Sequence, residues 1–146
     1  MKKEFIDYLN EIGLTGAVVD RVKEIYKFYS EFLKFDIKDI FVSEYINPDG
    51  SRTYENLWFF NDTHIFEAKQ FITEDDFDSD FFQDQIISFN INKKDFVMPL
   101  ESYNENSRVT LTFYFNTRAG VLKASKINCN KLAEITNDYV MPNFQK

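Results

Sequence analysis

Residues 108–115 alternate without a break. Val109, Leu111, Phe113 and Phe115 fall on one side of an extended chain, and Arg108, Thr110, Thr112 and Tyr114 on the other. Successive side chains of a strand point to opposite faces, so this pattern predicts a sheet with one face packed on a core and one turned outward. Thr117-Arg118-Ala119-Gly120 reads as the turn and 121–127 as the returning strand, so that 107–127 is a long hairpin running into a C-terminal helix. The rest of the chain has to close and cap this sheet.

Lys2–Ile12 places Phe5, Leu9 and Ile12 at helical spacing and predicts a short amphipathic helix, ended by Gly13 in the left-handed conformation. Thr15 stands where an N-cap would start a second helix reaching about Leu33, with Val18, Val22, Ile25, Tyr29 and Phe32 or Leu33 as its apolar stripe. From residue 39 the period falls to two. Ile40–Ile46, Arg52–Phe60 and His64–Lys69 read as a three-stranded meander, joined by Asn47-Pro48-Asp49-Gly50-Ser51 and by Asn61-Asp62. Thr73–Asp84, acidic with Phe77, Phe81 and Phe82 interspersed, reads as a surface connection with room for one helical turn. Ile87, Phe89 and Ile91 alternate with polar residues as a fourth strand, and Phe96–Leu100 is a short fifth, with Pro99 marking an edge or a strand end. Asn128 or Asn130 is placed to cap a last helix with Leu132, Ile135, Tyr139 and Val140 on one face, stopped at Pro142. The expected fold is α+β within one domain, 1–146. A helical hairpin (1–35) precedes a seven-stranded antiparallel barrel or strongly bent sheet (39–127), and a capping helix (128–141) follows.

The 17 Phe and 8 Tyr suit a core built from short strands, since each ring buries a large area. With 24 acidic against 17 basic residues the formal net charge is −7, a field that repels phosphate backbones and anionic lipid. Neither nucleic acid nor a membrane is therefore expected as a partner, and the longest basic run is Lys93-Lys94. Cys129 is the only cysteine, so no intramolecular disulfide can form. No apolar leader follows Met1, and no window approaches the ~18 uninterrupted apolar residues of a membrane span. The expectation is a soluble cytoplasmic protein, and the heavy use of Phe, Ile, Asn, Lys and Tyr points to an AT-rich bacterial or phage genome.

Seven short strands followed by one helix over 39–141 resemble the pleckstrin-homology-like barrel, in which two bent antiparallel sheets are plugged by a C-terminal helix. The resemblance implies a fold and stops short of the lipid ligand. Phosphoinositide-binding members cluster Lys and Arg in and beside the first hairpin loop, whereas Glu44–Arg52 offers Arg52 against Glu44 and Asp49. Many members also carry a Trp in the final helix, and here the single tryptophan, Trp58, stands in strand two. N-terminal helices ahead of a curved meander also resemble the nuclear-transport-factor-2-like cone. That resemblance implies a small-molecule or enzymatic pocket using His64, the only histidine, with Asp62 or Glu67 as its carboxylate.

No catalytic, metal or cofactor constellation stands out. Asp76, Asp78 and Asp80 begin like a calcium loop, but the positions needing Gly and Glu hold Phe81 and Ile87. Cys129 reads as a half-buried thiol whose pKa a helix N-terminus would lower, a target for labelling rather than a nucleophile. Asn61-Asp62-Thr63 matches a glycosylation pattern that has no leader to expose it. Trp58, Phe59 and Phe60 put aromatics on both faces of one strand, so either the second helix covers them or a face is left exposed. Tyr54 and Tyr114 raise the same question. Trp58, Tyr54 and Tyr114 are accordingly the candidate binding residues of a non-enzymatic interaction module. It would engage a protein, or a second copy of itself, through a sheet face or an open edge.

Overall fold

The structure is a computed structural model that describes residues 1–49, 51–72, 78–82, 86–94 and 107–144. Its elements are α1 (Lys3–Glu11), α2 (Ala17–Lys27), β1 (Asp39–Ile46), β2 (Arg52–Phe60), β3 (Ile65–Lys69), β4 (Asp78–Phe82), β5 (Ser88–Lys94), β6 (Arg108–Tyr114), β7 (Ala119–Ser125) and α3 (Asn128–Ile135). The class is α+β, as expected. The described strands pair into two antiparallel sheets, β1-β2-β3-β4 and β5-β6-β7, with no closed barrel among them. Contacts group the chain into two compact units, 1–42 with 54–82 and 43–53 with 83–146, and β1 and β2 pass through both.

In the first unit, Phe5, Tyr8 and Leu9 are the buried face of α1, and Gly13 follows it at φ 94°, in the left-handed region where glycine meets no steric penalty. The residue before α2 is Gly16 at φ 59°, not Thr15, and no side chain caps the helix. Val22, Ile25 and Tyr29 are buried as the stripe requires, but Val19 rather than Val18 joins them. Phe32 and Leu33 do not: Phe32 is 72% exposed. The physical reason is that α2 passes into a π turn over Phe28–Phe32, whose extra residue per turn swings residues beyond Tyr29 off the buried face. Lys34, at φ 56°, then reverses the chain, and the Phe35 amide donates to the Tyr29 carbonyl at 3.0 Å.

The helical hairpin packs on the sheet of its own chain. Register pairs Phe59 with Phe66 across β2 and β3, so these two rings share a face. Tyr29 lies on it, 4.7 Å from Phe59 and 4.9 Å from Phe66 between ring centroids. Tyr26 reaches Phe59 from α2 and Phe5 reaches Tyr26 from α1. The Tyr8 hydroxyl accepts the Val42 N–H at 2.9 Å, and the Tyr54 hydroxyl donates to the Ile12 carbonyl.

Part of the stretch expected as a connection is a strand. Asp78, Ser79 and Asp80 have poor strand propensity, which tertiary partners override. Ser79 shares a 2.6 Å hydrogen bond with the Tyr29 hydroxyl, and Asp80 pairs with Lys69 at 2.7 Å. Residues 73–77 and 83–84 of that stretch, and the expected strand Phe96–Leu100, lie outside the described residues.

In the second unit, Leu111, Phe113, Leu122 and Ala124 are fully buried, and Leu132 and Ile135 of α3 are buried with them. This is the face that the alternation assigned to the core. The Phe115 amide donates to the Arg118 carbonyl at 2.8 Å, a tighter turn than the sequence suggests, so β7 starts at Ala119 rather than 121. The residue before α3 is Ile127, and the Asn128 side chain is not its cap but turns to Glu44 at 3.4 Å. Thr136 Oγ1 donates back to the Leu132 carbonyl at 2.7 Å, and α3 widens there into a π turn over Thr136–Val140. Pro142 lies within a final 3₁₀ turn, Met141–Asn143.

Candidate interaction face of the second sheet

β7 is an edge strand, and two of its outward backbone amides are closed by side chains from β1. Ser43 Oγ accepts the Lys123 N–H at 3.0 Å, and the Glu44 carboxylate accepts the Ser125 N–H. Glu44 is fully buried and its oxygens are saturated: Arg52 donates at 2.6 Å and the Ser125 hydroxyl at 2.9 Å, with Asn128 beyond. A buried carboxylate persists only with partners of this kind. Arg52, the one cation near the first hairpin loop, is thus committed to Glu44. A lipid headgroup would have to take it from a buried carboxylate.

The outer face of the second sheet has a different chemistry. Register sets Tyr114 against Ser88 and Ala119, Thr112 against Asn90 and Val121, and Thr110 against Asn92 and Lys123. Arg108 closes the face opposite Lys94 and Ser125. Tyr114 is 43% and Val121 40% exposed. No position of these three strands on that face is Asp or Glu. The Lys123 ammonium lies 5.8 Å from the centre of the exposed Tyr45 ring on β1, a cation–π distance.

Of the three candidate binding residues, the structure leaves one on a surface. Tyr114 is exposed on this face. Tyr54 is half-buried and spends its hydroxyl on Ile12. Trp58 is fully buried, on the face of the first sheet opposite Phe59, in one cross-strand row with Glu67 and Asp80. Its ring belongs to the core.

The remaining chemistry-bearing residues are dispersed. His64 is half-buried, shares a 2.6 Å hydrogen bond with Thr63 Oγ1 and sits edge-on to Phe35. Of its two prospective carboxylates, Asp62 pairs with Lys38 at 2.7 Å and Glu67 accepts from Asn56 at 2.8 Å. Glu67 is 7% exposed, and burial pushes its carboxyl up to about 7. Asp80 and Glu55 add to the effect while Lys69 and Asn56 oppose it. Cys129 is buried, and its thiol is pushed up to about 11 by burial and by the Glu44 charge, so the lowering expected at a helix start does not occur. Asp80 of the calcium-like run lies in a strand, and no group of three metal-ligating side chains forms among the described residues. None of their helices is long and apolar enough to cross a membrane.

The sequence matches no protein-family profile, no curated protein and no solved structure.

Proposed function

We propose that this chain is a non-enzymatic protein-interaction module whose binding face is the outer face of β5-β6-β7. The observation that carries the reading is the exposure of Tyr114 and Val121 among Thr and Asn, with no Asp or Glu at the strand positions of that face. Tyr with small polar neighbours offers large, stiff contact area at low entropic cost, and depletion of acidic side chains is typical of interface cores. The four-strand sheet, three-strand sheet and following α3 support a pleckstrin-homology-like course for the fold. Members that use sheet faces without a lipid ligand are the fitting comparison, since Arg52 is occupied.

The test is site-specific photo-crosslinking in cells of the source organism. A benzoylphenylalanine is placed at Tyr114, at Val121 and, as an exposed control, at Asn137. One discrete protein adduct at both sheet positions and none at the control is the expected result. Equal labelling at all three positions refutes the assignment of the face.

A further inference from the structure

The net charge of −7 conceals a segregation. The first unit carries sixteen acidic and eight basic residues, and the second carries eight acidic and nine basic. The whole acidic surplus therefore belongs to the first unit. Within the second, register brings Arg108 and Lys123 together as diagonal neighbours, with Lys94 at the position opposite Arg108. Diagonal cross-strand neighbours lie about 7–8 Å apart. Five other described cations answer to carboxylates: Arg21 to Glu24, Lys38 to Asp62, Arg52 to Glu44, Lys69 to Asp80 and Lys131 to Glu134. Lys123 contacts a tyrosine ring instead, and the strand positions that register sets beside Arg108 are Lys94 and Ser125, neither of them a carboxylate.

The opposite end of the same face is apolar. Tyr114 and Val121 are also diagonal neighbours, six residues along β6 from Arg108. At about 3.3 Å per residue the two ends are roughly 20 Å apart, the span of six or seven residues of extended chain.

We infer that the partner presents an extended acidic segment to this face, its carboxylates on Arg108 and Lys123 and its apolar residues on Tyr114 and Val121. The inference rests on the interaction reading and specifies its chemistry. Nucleic acid is the poorer fit, because a phosphate backbone carries charge along its whole length and needs cations along the whole track. Here they occupy one end.

Fluorescence anisotropy tests this on the full chain. Two labelled octapeptides carry two Glu at one end and two Leu at the other, in opposite chain directions. The controls are the Lys-for-Glu versions and an eight-nucleotide oligothymidylate. At least one Glu peptide is expected to bind tenfold or more tighter than its Lys control, and to weaken as salt rises from about 50 to 200 mM. The double variant Arg108→Glu/Lys123→Glu is expected to lose at least tenfold in affinity, and Tyr114→Ser several-fold, with unfolding midpoints unchanged. The milder Arg108→Gln/Lys123→Gln, losing less, replaces the charge reversal if that variant melts early. Equal binding of Glu and Lys peptides overturns the inference, as does oligothymidylate binding as tightly as the Glu peptides. So does the absence of saturable peptide binding up to about 1 mM. If the peptides fail while crosslinks at 114 and 121 persist, the face stands and only the acidic chemistry falls. If the crosslinks fail too, both readings fall.

Discussion

Glu67→Gln isolates a carboxyl that burial displaces far from its ordinary value. In the unfolded chain the group titrates near 4.5, and in the folded protein near 7. A raised carboxyl binds its proton more tightly when folded, so its contribution is fully present below 4.5 and is lost as pH rises through 7. At about 1.4 kcal/mol per pH unit, the interval amounts to about 3 kcal/mol at pH 8. Gln keeps an oxygen to accept from Asn56 and has no charge to desolvate beside Asp80, which Lys69 already engages. The variant should match the wild type near pH 4.5 and exceed it by about 2–3 kcal/mol at pH 8. With a urea dependence of about 2 kcal/mol per molar, the midpoint should shift upward by about 1–1.5 M. Urea titrations of both proteins at the two pH values make the comparison, and the difference between them removes every other titrating group. A Glu67→Gln variant less stable than wild type at pH 8 would refute the argument. So would a difference that does not change with pH.

Glu44→Ala leaves Arg52 and two β7 donors without their acceptor and should cost about 3–5 kcal/mol by urea unfolding, whereas a loss under 1 kcal/mol would deny that the buried cluster holds β7. Cys129 should react with an aromatic disulfide at pH 8 far more slowly in the native protein than in urea, because little thiolate exists in a buried thiol titrating near 11. Comparable rates in the two states would count against that burial. Lys34→Gly should raise stability by about 1 kcal/mol, since Lys34 holds a left-handed φ of 56° that a Cβ disfavours. A thermal midpoint that falls instead would mean that the lysine stem packs usefully.

The sequence carries the parts of this fold that depend on one period in one element. The alternation of 108–115 identifies the buried Leu111 and Phe113, and Gly13 marks the end of α1. What it hides depends on partners far along the chain. Nothing local marks Asp78–Phe82 as strand, because Tyr29 and Lys69 supply what propensity lacks. The π turn after Lys27 leaves the helical spacing of Phe32 and Leu33 intact in sequence while rotating both out of the core. Asn128 looks like a cap and is a Glu44 ligand. The candidate face was half legible: Tyr114 shows in the alternation, but Arg108 and Lys123 are fifteen positions apart and meet only through register.

Edge protection separates the two ways a sheet can recruit a partner. Strand addition requires free amides on an edge, and here several are already spent on side chains. Tyr8 holds the Val42 amide of β1, and Ser43 and Glu44 hold those of Lys123 and Ser125 on β7. A strand adding along β7 would have to displace Glu44 from the Ser125 amide, taking a donor away from a fully buried carboxylate. Docking on the face disturbs none of these bonds, and it uses the side chains that the cluster leaves alone. On the reading proposed above, the same buried Glu44 that occupies Arg52 thus favours the face of β5-β6-β7 over the β7 edge as the place where a second protein would bind.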